Sequence, residues 1–134
     1  MPGIWPAVGV NQLMDVFFKE ATPPDIYLGL FYNDGDPPEA DTVLADLTEP
    51  TTGGYARIAI PPADFTLTAG TGQITAAAKT FTPSGDDWGT IDGWFICDAA
   101  SGDGVLIAIE QFSDGPYNVL DTVPVIVIAA LNAS

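Results

Sequence analysis

Trp88-Gly89-Thr90-Ile91-Asp92-Gly93-Trp94-Phe95-Ile96-Cys97-Asp98-Ala99, followed by Gly102-Asp103-Gly104 and Val105-Leu106-Ile107-Ala108-Ile109-Glu110, reads as a strand, a glycine-rich turn and a returning strand. Aromatic and β-branched residues fill both arms, as a pleated and half-buried surface favours. The link Asp98-Ala99-Ala100-Ser101-Gly102-Asp103-Gly104 supplies residues that tolerate positive φ in a tight turn. Side chains two apart share one face of a strand. A continuous strand therefore places Ile91, Gly93, Phe95 and Cys97 on one side, and Asp92, Trp94, Ile96 and Asp98 on the other. Neither side is cleanly polar, so the hairpin is expected at the centre of a two-layer structure.

Further strands lie on both sides of it. Upstream, Ile26-Tyr27-Leu28-Gly29-Leu30-Phe31-Tyr32 is stopped by Asn33-Asp34-Gly35-Asp36-Pro37-Pro38, and Val43-Leu44-Ala45-Asp46-Leu47 is expected to make one helical turn. Gly53-Gly54 introduces a strand over 55–60 that Pro61-Pro62 closes, and strands are expected over 64–68, 73–78 and 79–81. Downstream, a strand over 123–131 carries Val125-Ile126-Val127-Ile128-Ala129-Ala130-Leu131, apolar on both faces. Such a strand must be covered on both sides, inside a sandwich or at a subunit interface.

Only one stretch has helical spacing. Val10, Leu13, Met14, Phe17 and Phe18 recur on one face of residues 11–21, with Asn11 as the N-cap and Thr22-Pro23-Pro24 as the stop. Residues 1–10, with Ile4 and Trp5 among prolines and glycines, read as an extended arm with two apolar anchors. The expected fold is all-β: an antiparallel β-sandwich, jelly-roll or Ig-like, with this arm and helix before it. At 134 residues the chain divides into the arm 1–10 and a single domain 11–134.

Charge narrows the function. Eighteen Asp and Glu against three Lys and Arg give a formal charge of −15. Lys19, Arg57 and Lys79 are scattered and cannot form the basic stripe that phosphates need, so nucleic acid is not an expected partner. An anionic membrane surface is disfavoured for the same reason. The single Cys97 excludes an internal disulfide, and the absence of His removes imidazole from both metal binding and nucleophilic catalysis. With no leader and no spanning apolar run, the chain is expected to be soluble and made in a reducing compartment, or exported by another route.

The carboxylates offer two further readings. Asp86, Asp87 and Asp92 beside Trp88 and Trp94 resemble the acid pair and aromatic platform of a glycan-cleaving site, against the alternative of turn residues beside core tryptophans. Asn33-Asp34-Gly35-Asp36, with Glu39 and Asp41, clusters oxygen ligands but misses the spacing of a calcium loop. No phosphate-binding glycine motif is present. The expectation is therefore no catalytic residue, no cofactor and no metal site.

The order of motifs resembles a family of small virion proteins of tailed bacteriophages, of head-decoration or tail-fibre-like type. The resemblance is carried by Ile26-Tyr27-Leu28-Gly29-Leu30-Phe31, Gly53-Gly54-Tyr55-Ala56-Arg57, Thr80-Phe81-Thr82-Pro83, Trp88-Gly89-Thr90-Ile91, Gly93-Trp94-Phe95-Ile96-Cys97-Asp98-Ala99 and Gly104-Val105-Leu106-Ile107. Cys97 stands where the family commonly has phenylalanine or isoleucine. The resemblance implies a non-enzymatic particle component that associates with itself. The expected role is a capsid decoration (cement) protein on the virion surface, binding the major capsid protein and itself as a homo-dimer or homo-trimer. Ile4, Trp5, Phe17 and Phe18 are the expected contact set. The alternative is a tail-fibre or baseplate module that binds tail proteins or a host surface glycan, using Tyr32-Asn33-Asp34 or Tyr117-Asn118.

Overall fold

A computed structural model describes residues 25–33, 37–68 and 73–132. Among the described residues eleven strands run in chain order: β1 (Ile26–Phe31), β2 (Ile58–Ile60), β3 (Phe65–Thr68), β4 (Gln73–Ala76), β5 (Lys79–Phe81), β6 (Gly89–Ile91), β7 (Gly93–Cys97), β8 (Leu106–Gln111), β9 (Tyr117–Val119), β10 (Val125–Val127) and β11 (Ala130–Asn132). Helix among the described residues is confined to two 3₁₀ turns, Leu44–Asp46 and Pro62–Asp64. The all-β expectation and the helical turn before Leu47 both hold. The arm 1–10 and the helix 11–21 lie outside the described residues.

Every strand pairing described is antiparallel. The strands form one four-stranded sheet, β2-β1-β7-β8, and three smaller ones, β10-β5, β11-β4-β3 and β6-β9. The opening hairpin is β7-β8, and β1 lies on its other side with Leu30 opposite Trp94 and Leu28 opposite Ile96. β7 is buried along its whole length. Its position at the heart of the largest sheet follows from having apolar residues on both faces.

The two faces of this sheet feed two apolar clusters. Leu28, Leu30, Trp94 and Ile96 join Ile60, Phe81, Trp88, Val119 and Val127 in the larger one, which takes residues from all four sheets. Phe31, Phe95, Cys97, Leu106 and Ile109 form the smaller one, which Leu44 of the first 3₁₀ turn completes. At the turn end of the hairpin, Cys97 pairs with Leu106 and Ile96 with Ala108. Ile107 is thus the extra residue of a β-bulge, and it packs in the larger cluster beside Ala108.

Three strand expectations are corrected. The run from Trp88 to Cys97 is not one strand: it breaks at Asp92 into β6, which pairs with β9, and β7. Asp92 donates its N–H to the Phe31 carbonyl and accepts from the Phe112 N–H, both at 2.9 Å, while its carboxylate accepts from the Asn33 N–H at 2.6 Å. That break puts Ile91 in the cluster of Trp94 and Ile96, not with Phe95 and Cys97. The strand expected over 55–60 begins only at Ile58, because Tyr55 and Arg57 are held by side-chain bonds to other segments. The last strand divides into β10 and β11, which belong to different sheets. The Ala129 carbonyl between them accepts from Ala76 of β4 at 2.9 Å.

Candidate interaction surface

Gly53-Gly54-Tyr55-Ala56-Arg57 builds an internal clamp. Both glycines have positive φ, and a Cβ on Gly53 would meet the Asp86 carbonyl at 2.6 Å and the Trp88 indole nitrogen at 2.7 Å. Arg57, its side chain only 3 % exposed, donates from Nε and Nη2 to the two oxygens of Glu49 at 3.0 and 2.8 Å. It also donates to the carbonyls of Ala99 and Gly102 in the hairpin turn, both at 2.8 Å, and lies 5.3 Å from the centre of the Phe95 ring. This is the bidentate and stacked use for which guanidinium is suited. Tyr55 donates its hydroxyl to Glu49 at 2.7 Å and accepts from the Leu30 N–H at 2.9 Å. Burial drives the Tyr55 phenol far above its ordinary pKa, with the Glu49 charge adding to the effect. Beside this clamp Tyr55 and Phe81 lie nearly parallel, and Trp88 meets both rings edge to face. The motif ties three loops to β1, and its polar groups are occupied internally.

The residues of the glycan-site reading are likewise engaged in structure. Trp88 and Trp94 are buried, and the Trp88 indole N–H donates to the Thr52 carbonyl at 2.9 Å. The Asp87 carboxylate accepts from the Asp121 N–H at 2.6 Å, and the Asp121 carboxylate accepts from the Gly85 N–H at 2.8 Å. The two aspartates hold two turns together, and both tryptophans belong to the larger apolar cluster. Tyr32 donates its hydroxyl to the Trp88 carbonyl. Of the loop considered for a cation, residues 34–36 lie outside the described residues, and the Asn33 side-chain oxygen is buried with no hydrogen-bond partner among the described residues. No group of three or more Cys, Asp or Glu suited to a metal occurs among the described residues. Nor does any described helix have the length and apolarity to cross a membrane.

Of the expected contact set, Ile4, Trp5, Phe17 and Phe18 all lie outside the described residues. The described surface offers a different apolar feature. Along β10 and the residues after it, Val127 and Ala129 are buried while Ile126 and Ile128 are 64 % and 61 % exposed. The alternation is that of a strand with only one face covered. Two hollows meet at Ile126. One, of about 360 Å³, is lined by Tyr117, Asn118, Val123 and Pro124; the other, of about 430 Å³, by Trp94, Glu110, Gln111 and Ile128; Phe112 reaches both. Tyr117, Leu120 and Val123 are themselves exposed, and the Tyr117 and Phe112 rings lie 4.9 Å apart. Glu110 is partly buried, which pushes its carboxyl above the usual range. The sequence held the signal for this strip, since a strand apolar on both faces needs a second cover. Its position could not be read without knowing which face turns inward.

A family model described as Podophage GP4 fiber I protein gp80 matches residues 7–131, more than nine-tenths of the chain. The chain belongs to that family. It is a structural protein of a tailed-phage virion, as the resemblance of its motifs implies. The matched span takes in the clamp, the central hairpin and the exposed strip of β10. No curated protein matches this fibre-family chain, and no solved structure matches it.

Proposed function

We propose that this chain is a non-enzymatic building block of a phage tail fibre, held in place by contacts with other virion chains. The observation that carries this reading is the family match over residues 7–131, whose description is that of a fibre protein. The bonding of the clamp and of the Asp87–Asp121 pair supports a structural role, because these polar groups are used to fix loops. In this reading the fold is a two-layer sandwich. The sheet β2-β1-β7-β8 is one layer, and the three small sheets face it across the larger apolar cluster. Ile126 and Ile128 supply the apolar centre that a virion contact requires.

Capsid decoration is the second reading, favoured by the charge of −15, which suits the outer surface of a particle and a contact with the major capsid protein. Gold-labelled antibody against the chain, applied to purified virions, separates the two. Label on the fibres supports the proposal. Label spread regularly over the head overturns it in favour of decoration. Release of reducing sugar ends from host polysaccharide by the purified protein would overturn the non-enzymatic part of the proposal.

A further inference from the structure

We propose that the exposed strip of β10, centred on Ile126 and Ile128, is the face through which one copy of this chain meets another. The inference rests on the virion-component reading for its purpose, but its physical basis is the distribution of charge. Residues 122–134 contain no charged side chain, and neither do residues 65–78. The strands β3, β4, β10 and β11 lie entirely in these two stretches. The pairing of β11 with β4 and of β4 with β3 joins three of them in one sheet, and Gln73 of β4 and Ala130 of β11 line the same hollow as Ile126 and Ile128 of the β10 stretch. The pairing of β10 with β5 adds a single charge, Lys79, which is bonded to Asp64 at 2.5 Å. Every one of the eighteen carboxylates lies elsewhere in the sequence.

That segregation selects the occupant. Two copies carrying −15 each repel over most of their surfaces. The face on which they can meet without bringing carboxylates together is the uncharged one, and that face also bears Ile126 and Ile128. A basic partner gains most from the acidic surfaces and little from this one. The two hollows beside Ile126 offer room for large side chains of the facing copy: the one lined by Phe112, Tyr117 and Val123 suits an apolar insert, and the one lined by Glu110, Gln111 and Ser113 suits a polar one. Glu110 is the one carboxylate lining either hollow. β10 pairs with β5 alone among the described strands.

The test is the mass of the purified full chain in solution, by sedimentation velocity or light scattering across the micromolar range. The wild-type chain is expected to associate, and more tightly as salt rises, because screening removes like-charge repulsion while leaving apolar contact intact. The double variant Ile126→Ser/Ile128→Ser is expected to lose association while keeping its circular-dichroism spectrum and melting midpoint, since both side chains face solvent. The variant Val43→Ser, at an exposed apolar residue on another part of the surface, keeps the wild-type mass. A wild-type chain that stays monomeric overturns the inference and assigns the strip to another virion protein or to the chain's own residues 1–24. A folded double variant that still associates overturns it too. Neither result depends on whether the chain is found on fibres or heads, so the two proposals fail separately.

Discussion

Arg57 carries more of the loop structure than any other side chain described. Its guanidinium satisfies Glu49 and two carbonyls of the hairpin turn, and hydrogen bonding to Glu49 holds its proton more firmly than usual. Arg57→Ala leaves Glu49, 22 % exposed, without its partner and the Ala99 carbonyl without its donor. The pair is only partly buried, so losing one side is expected to cost about 1–3 kcal/mol, and urea unfolding should move to a lower midpoint. Arg57→Lys keeps the charge but not the fork, and is expected to fall between wild type and alanine. Cys97 gives a second prediction at this scale. Burial pushes its thiol pKa up, and the Sγ lies 3.3 Å from the Ala99 carbonyl. The folded protein should resist maleimide and react once urea unfolds it; rapid labelling under native conditions would contradict the packing. The sequence pointed to Gly53-Gly54-Tyr55-Ala56-Arg57 as a motif, but the chemistry was not legible there. Its carbonyl partners Ala99 and Gly102 stand 42 and 45 positions away, and nothing in local spacing names them.

At the scale of elements, residue type located the strands better than their ends. β1 and β8 came from runs of apolar residues between turn signals, and for these two the runs were sufficient. β9 was missed because Tyr117-Asn118-Val119 is too short to show alternation, and its pairing with β6 is supplied from 26 or more positions away. The break at Asp92 was invisible for a related reason. A carboxylate inside a strand pattern reads as an outward residue until its acceptor role towards the Asn33 N–H is seen. The pairing of β1 with β7 makes its own prediction. Gly29 stands directly opposite Phe95, and a Cβ there would run into the Phe95 ring and approach the Tyr55 hydroxyl at 2.9 Å. Gly29→Ala should destabilise by roughly 1–3 kcal/mol, the usual cost of overpacking, seen as a lower melting temperature. An unchanged melting temperature would mean that the ring is free to move aside.

For the whole molecule, the separation of charge from apolar surface is the feature that links sequence to function. It was legible in part. The doubly apolar last stretch called for a second cover. The contact set was placed on Ile4, Trp5, Phe17 and Phe18, while the exposed strip that the structure describes lies at the other end of the chain. Glu110, lining the hollow beside Ile126, offers a check on the electrostatics of this face. Desolvation raises its pKa in the folded state, so its ionised form opposes folding at neutral pH, and that penalty disappears as pH falls through the raised value. Glu110→Gln should therefore be more stable than wild type at neutral pH, with the difference closing below about pH 4, where the carboxyl is protonated in both states. A difference that widens with acid would reverse the sign and refute the assignment. A cryo-electron-microscopy reconstruction of the intact virion, with this chain traced, reads both proposals at once. Copies are expected in the tail fibres, meeting across the uncharged face with Ile126 and Ile128 buried between them. Copies on the head shell, or copies whose Ile126 and Ile128 face solvent, would contradict them.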